Sequence, residues 1–204
     1  MMRAGDVVLG PRMSAAAPSD GERIGAITAA AFARDPVNLW LFRNFAGIRA
    51  LFDAQAQRIY VPRGFAYRLG DDTGACMWAL PEDDVRTRTA DRLAIAWAIL
   101  SRSGPGAVRR ALATGAAMER HHPRFPHAYL FSIGVKPAHQ GKGLGRVLIA
   151  PVLEACDRHG VPAYLENSNP ANTGFYRSCG FEPQAEFRPR PDAPPMLAML
   201  RPPR

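Results

Sequence analysis

The stretch from Ala128 to Gly145 restricts the fold more than any other. Ala128-Tyr129-Leu130-Phe131-Ser132-Ile133-Gly134-Val135 is an apolar run of strand length, suited to a central strand buried on both faces. Gln140-Gly141-Lys142-Gly143-Leu144-Gly145 follows, and a helical pattern then continues to Arg158. Successive amides at such a turn, where it opens a helix, make an anion-binding surface from Gly141 to Gly145, with Lys142 or Arg146 adding charge. The same glycines suit a tight turn that needs them only for its backbone angles. The turn alone leaves both readings open.

Two better-known glycine loops do not fit. A phosphate loop needs Gly-x-x-x-x-Gly-Lys followed by Ser or Thr. Here Gly141-Lys142 supply only the last pair, with Lys136 at the first glycine position and Gly143 at the hydroxyl position. A dinucleotide fingerprint begun at Gly141 meets Arg146 where its third glycine belongs, and no parallel βαβ start precedes it near the N-terminus.

The remaining pattern is α/β. Glu22 to Phe32 reads as an amphipathic helix, capped by Ser19 or Asp20 and closed by Asp35-Pro36. A second helix is expected from about Phe45 to Tyr60. Phe65–Leu69 and Ala75–Leu80 form a hairpin around Gly70-Asp71-Asp72-Thr73-Gly74, and Pro81 breaks it. Helices over 88–101 and 106–120 are separated by Ser103-Gly104-Pro105-Gly106. Pro151 should bend the long helix after the glycine turn. A strand at Val161–Glu166, a short helix from about Pro170 to Cys179 and one or two final strands complete the map, with a Pro/Arg-rich end expected to fray. At 204 residues and 47% hydrophobic content, the chain suits one domain over 1–204, with a helical insertion at about 82–122.

Composition excludes more than it assigns. Cys76, Cys156 and Cys179 are too few and too far apart for a disulfide framework or a structural zinc site, and no metal site is expected. The formal charge of +8 comes almost wholly from arginine, since Lys136 and Lys142 are the only lysines. A basic balance attracts nucleic acid or an anionic cofactor alike. No zinc finger or single-strand-binding segment is present, so nucleic acid is not the expected partner. No apolar stretch reaches spanning length and the start is too brief for a secretory signal, so no membrane partner and a cytoplasmic location are expected.

Gln140-Gly141-Lys142-Gly143-Leu144-Gly145 resembles the Gln/Arg-x-x-Gly-x-Gly/Ala acyl-CoA-binding motif of the GCN5-related N-acetyltransferase (GNAT) superfamily, with Gln140, Gly143 and Gly145 in its defining places. The longer segment from Ile133 to Phe181 is similar to the puromycin N-acetyltransferase branch. It includes Val161-Pro162-Ala163-Tyr164-Leu165-Glu166-Asn167-Ser168-Asn169-Pro170, Asn172-Thr173-Gly174-Phe175-Tyr176 and Cys179-Gly180-Phe181. The resemblance implies a central mixed, twisted sheet with helices on both faces and a V-shaped splay between two central strands.

It also implies an acetyl-CoA site. The pantetheine arm would lie in the V along Ile133, Gly134 and Val135, and the pyrophosphate would meet Gly141, Lys142, Gly143, Leu144, Gly145 and Arg146. Gln140 and Asn172 would complete the cofactor-binding set. A backbone amide near Ile133 or Gly134 would stabilise the developing oxyanion. Tyr176 is placed as the acid that protonates the departing thiolate, and is also a cofactor contact. Packing against the sheet is the plainer use of such a ring.

Glu166, at a strand end beside the V, could take the amine's proton or attract its cationic form, or could be a solvated strand terminus. Glu119, His121, His122 and His127 are further proton acceptors. Tyr60, Trp78, Trp97 and Trp40 could line an aromatic acceptor pocket, or simply fill the core. The implied reaction is acetyl transfer to a primary amine of a small molecule (antibiotic, toxin or metabolite) by direct attack, with antibiotic resistance as one setting. The alternatives are a peptide or protein N-acetyltransferase and a non-catalytic CoA-responsive module. A monomer and a homodimer are both compatible with the sequence.

Overall fold

The computed structural model describes residues 2–204. The apolar run at Ala128–Val135 lies in the middle of a seven-stranded sheet, but its residues alternate between buried and half-buried, and it is the neighbouring strand Gly74–Ala79 that is buried throughout. The strands are β1 Met13–Ala15, β2 Phe65–Leu69, β3 Gly74–Ala79, β4 Ala128–Val135, β5 Ala163–Asn167, β6 Glu182–Phe187 and β7 Met196–Arg201. Their spatial order is β1-β2-β3-β4-β5-β7-β6, and the pairs are antiparallel except β4 with β5. The mixed sheet and flanking helices match the expected class, and the hairpin at residues 70–74 forms as the turn composition requires.

A bulge in β4 decides which side chains face which layer. Trp78 pairs with Leu130 but Met77 pairs with Ser132, so Phe131 is an extra residue on β4. Before it, Ala128 and Leu130 face one core and Tyr129 and Phe131 the other; after it, Ile133 and Val135 have joined Leu130's side. Ser132, opposite Met77, stays on the Phe131 side.

Helices α1 Gly21–Ala31, α2 Pro36–Phe42, α3 Phe45–Gln55, α4 Val61–Arg63 and α5 Thr89–His121 build the layer on the Phe131 side. A π-helical turn, Ala56–Tyr60, joins α3 to α4. The two helices expected in the insertion form one element interrupted at Gly104, whose φ of 75° and ψ of 177° are not helical. On the other face, α6 Leu144–His159 covers β3 and β4 with Leu148, Ile149 and Val152, and α7 Thr173–Ser178 stands beside its start.

Three local features depart from the sequence reading. Asp35-Pro36 does not merely close the first helix; it opens α2, with Asp35 Oδ1 accepting from Asn38 N at 2.9 Å and Pro36 in the first turn. β1 is three residues long and carries no alternation a sequence could show. α6, by contrast, continues across Pro151 to His159, as the helical pattern to Arg158 predicts. The Pro/Arg-rich end is tied down: Arg201 is buried and grips both Asp157 oxygens at 2.7 Å, so its β-strand locks onto the end of α6. Cys76 and Cys156 are buried, and burial pushes the Cys156 thiol up to about 12, which leaves it unreactive.

Trp78 is 0% exposed, packed with Tyr67, Leu148 and Phe181 between the sheet and α6. It therefore belongs to the core rather than to an acceptor wall. Trp78→Ala is expected to cost about 3–5 kcal/mol of stability in urea denaturation, as for other large buried side chains. A substitution that changed only substrate affinity at full stability would refute this placement.

Candidate active site

β4 and β5 pair at only two positions, Ala128 with Ala163 and Tyr129 with Tyr164. Beyond them β4 continues to Val135 and β5 to Asn167 without bonding to each other. A cavity of about 620 Å³ occupies the mouth of this splay, within the range of small-ligand pockets. Its walls are the end of β4 (Ile133, Gly134, Val135), the turn after α1 (Phe32 to Asp35), the glycine turn and the first residues of α6, and Tyr176 on α7.

The glycine turn is built for backbone exposure. Gly141 and Gly143 have φ of 75° and 76°, in the left-handed region that other residues avoid, and Gly143 is the N-cap of α6. No side chain caps that helix start, and although the Arg146 amide donates to the Gly143 carbonyl, the Leu144 and Gly145 amides stay available on the cavity wall. A Cβ at either glycine would meet nothing within 4 Å, which leaves the approach open for a ligand. Arg146 and His139 also line the cavity, and the helix dipole adds positive potential. These features fit an anionic diphosphate.

The sequence-predicted cofactor residues separate into three kinds of placement. Ile133, Gly134, Val135, Gly141, Gly143, Leu144, Gly145, Arg146, Asn172 and Tyr176 line the cavity. Gln140 also borders it, but its Nε2 donates to the Val135 carbonyl at 2.9 Å, which ties the turn back to the strand. Lys142 is exposed and is not part of the cavity wall; the αL conformations on either side turn it outward. Gly134 serves a second purpose, because a Cβ there would come within 2.7 Å of the Ala31 Cβ of α1.

Tyr176 is buried between Phe175 and Phe181, and burial pushes its phenol well above the usual tyrosine range. It therefore keeps its proton at neutral pH.

Glu166 lies on the opposite face of the opening. Its side chain is 1% exposed and is not part of that cavity wall; the Tyr129 and Tyr164 hydroxyls lie against its carboxylate without a well-formed hydrogen bond. Three tyrosines, Tyr60, Tyr129 and Tyr164, crowd this pocket; burial first, and then the charge of Glu166, push their phenols up. Tyr60 stacks on Phe131 with ring centroids 4.5 Å apart. His122 Nδ1 approaches Glu166 Oε1 at 3.5 Å, and His127 Nε2 meets His122 Nε2 at 3.1 Å. Tyr60, Glu166 and His127 are thus brought together as one group.

The remaining aromatic candidates lie elsewhere. Trp97 is 68% exposed in a surface groove between α3 and α5, with Arg49 and Asp53 as neighbours. Its helix carries it away from the splay. Trp40 Nε1 donates to Asp192 Oδ2 at 3.2 Å. Glu119 is exposed, and His121 is stacked on Phe187. Among the described residues, no cluster of three or more histidines, cysteines or carboxylates could hold a metal ion.

Asp35 on the cavity wall was not read as a site residue. Ser168 Oγ donates to Asp35 Oδ2 at 2.6 Å, so the turn after α1 is bonded to the loop after β5. The Asp-Pro pair that reads as a helix stop is the one available signal.

A model of the acetyltransferase (GNAT) family matches residues 48–181. The chain belongs to that family. An uncharacterised N-acetyltransferase of Schizosaccharomyces pombe is 28% identical over 184 residues, covering 79% of this chain and 70% of that protein. L-amino acid N-acyltransferase MnaT of Escherichia coli is 37% identical over 66 residues, 31% of this chain and 38% of that enzyme. A Corynebacterium glutamicum structure described as histone acetyltransferase HPA2 and related acetyltransferase superposes with a TM-score of 0.70 at 26% identity, covering 96% of this chain and 98% of that one. None of these three is a puromycin N-acetyltransferase. This GNAT protein is an acetyltransferase, and its fold implies CoA or acetyl-CoA as its cofactor class. Among the described residues, no helix is long and apolar enough to cross a membrane.

Burial raises the Asp35 carboxyl above 3.8, against the hydrogen bonds from Ser168 and Asn38. The folded state then binds the proton more readily than the unfolded one, so stability falls as pH rises from about 4 through the folded-state value. Asp35→Asn keeps an acceptor for Asn38 N and removes the charge. It should be at least as stable as wild type at neutral pH, whereas Asp35→Ala should lose about 1 kcal/mol with the cap. Urea denaturation at acid and neutral pH checks both.

Proposed function

We propose that this protein is an acetyl-CoA-dependent N-acetyltransferase acting on a primary amine of a small molecule by direct attack. The observation that carries this reading is the placement of Tyr176 and Glu166 on opposite sides of one strand opening. Ile133, Gly134 and Val135 would hold the arm of the cofactor, and the amides from Gly141 to Gly145, with Arg146, its phosphates. When bound, acetyl-CoA supplies an acetyl group activated as a thioester.

The chain's own groups do the rest. The splay orients the two reactants, which lowers the barrier without a covalent enzyme intermediate. A β4 amide near Ile133 or Gly134 stabilises developing negative charge on oxygen. Tyr176 keeps a neutral O–H available for the departing sulfur. Glu166, buried beside the Tyr129 and Tyr164 hydroxyls, takes the proton that the amine must lose. The tyrosines around it offer aromatic faces and edges to a cationic amine.

Similarity to the puromycin N-acetyltransferase branch, carried by Ile133 to Phe181, supports an antibiotic-like nucleoside as one acceptor. Similarity to relatives named for L-methionine sulfone and L-amino acids supports an amino acid as another.

Mass spectrometry of an amine panel with acetyl-CoA tests the proposal: puromycin-like nucleosides, L-methionine sulfone, other amino acids and peptides. One small amine should gain an acetyl group, and Tyr176→Phe should slow it by about 10²-fold with CoA affinity kept, the size expected of a lost general acid. Acetylation of peptides alone would replace the small-molecule reading, and CoA binding with no transfer would make the protein a non-catalytic module. Gly143→Val, forced into the left-handed region, should weaken CoA binding by about tenfold or more in calorimetry. Unchanged affinity would remove the glycine turn from the cofactor site.

A further inference from the structure

Tyr176 stands on α7, a helix of six residues that is too short to hold its own place in the fold. The loop that leads into it is folded on itself. Asn167, buried at the end of β5, donates from Nδ2 to Thr173 Oγ1 at 3.1 Å, and its Oδ1 accepts from Asn169 N at 3.1 Å. Asn169 Oδ1 accepts from Ala171 N at 3.1 Å, and the Asn169 carbonyl accepts from Asn172 N at 2.9 Å. These bonds tie residues 167–173 into one unit, with Thr173 three positions before Tyr176. None of them fixes that unit to the far side of the opening.

Ser168 does. Its Oγ donates to Asp35 Oδ2 at 2.6 Å, across 133 positions of chain, a length usual for a hydroxyl on a carboxylate. Asp35 is itself held firmly. It is buried, it opens α2, and its Oδ1 accepts from Asn38 N at 2.9 Å and from Asn38 Nδ2 at 3.0 Å. α2 is anchored in turn by Val37, Leu41 and Phe42, all buried. Among the described residues that line the cavity, Asp35 is the one carboxylate, on a wall where Arg34, Arg146 and His139 are basic. A carboxylate repels the phosphates that such a wall attracts, and both its oxygens are given instead to Asn38 and Ser168. After burial and Cys76, the charge of Asp35 helps to push the Tyr176 phenol up, as expected of two groups at the same end of the cavity.

We propose that Asp35 and Ser168 form a clasp across the strand opening that sets where the Tyr176 hydroxyl stands. It rests on the reading of Tyr176 as the acid. Asp35 on α2 is the fixed post, Ser168 hangs the loop from it, and the Asn167–Thr173 bond passes the constraint to the first residue of α7. With the clasp made, the mouth has a fixed width on this side and α7 a fixed position beside it. Without it the loop can drift, and a displacement of about 1 Å at a reacting group costs as much as about 10²-fold in rate. Neither residue exchanges a proton with the reactants; both are positioning residues.

Turnover of the fastest amine in the panel tests the clasp. Ser168→Ala should lower kcat by about tenfold with KM for acetyl-CoA unchanged, and Ser168→Thr, which keeps a hydroxyl, should restore most of it. Asp35→Ala should match Ser168→Ala, and the double variant should be no slower than either alone. Ser168→Ala carries the test by itself if Asp35→Ala, which loses the α2 cap, does not fold. In a Tyr176→Phe background, where no acid is left to position, Ser168→Ala should cost nothing further. A residue that only supports the fold would slow that background as well. The clasp is overturned if Ser168→Ala keeps the wild-type kcat, if Ser168→Thr is as slow as Ser168→Ala, or if Ser168→Ala slows Tyr176→Phe by the factor seen in wild type. In each of those cases a slow Tyr176→Phe leaves the acid reading standing. If Tyr176→Phe turns over at the wild-type rate, the acid reading itself has failed, and the clasp with it.

Discussion

Two neighbouring parallel strands that stop bonding after two residue pairs set the terms for everything else in this structure. Unpaired backbone inside a sheet is costly, so such an opening persists only if each strand is held firmly from its other side. β4 is held along its length by β3, and β5 by β7 over all five of its residues. α1 and α6 clamp β4 from opposite faces, and the Arg201–Asp157 pair fastens β7 to α6. The exposed strand edges are then free to serve a ligand, and the bond from Ser168 to Asp35 spans the mouth without filling it.

The bulge at Phe131 gives the opening its chemical asymmetry. Without an extra residue, strict alternation would keep Ser132 with Leu130 and send Ile133 to the Phe131 side. With it, the strand presents Ile133 and Val135 towards α6, the side of Tyr176, and Ser132 towards the side of Glu166. A neutral phenol tolerates burial at little cost, because no charge is desolvated. A carboxylate does not, and Glu166 has the Tyr129 and Tyr164 hydroxyls and His122 Nδ1, 3.5 Å away, as its polar neighbours. Tyr176 and Glu166, the proposed acid and base, are therefore separated by environment although they lie close along the chain.

Much of this was legible in the residues. The central strand, the glycine turn, α6 and the Asn172–Tyr176 segment depend on local pattern and local backbone demands, and they formed where expected. Asp35 was misread because Asp-Pro signals the end of one helix and the start of the next equally well, and here the second begins at once. Lys142 looked like a phosphate ligand from its place between glycines, but the left-handed turns direct it to solvent. The tryptophans exchanged roles: Trp78 sank into the core and Trp97 stayed outside, since exposure depends on which neighbours arrive and not on the residue type. Glu166 and the two histidines were each visible, but nothing in their spacing places them in contact.

The sequence by itself determined the α/β class, the strand–turn–helix that opens the cofactor side, and the tyrosine segment, because each rests on short-range periodicity and on conformations that few residues allow. Only the tertiary structure decided that β4 and β5 part after Tyr129 and Tyr164, that Glu166 is sealed among three tyrosines, and that His122 and His127 come together beside it. Those outcomes come from packing a helix ending at His121 against strands more than forty residues further on, and no local pattern carries the register of that contact.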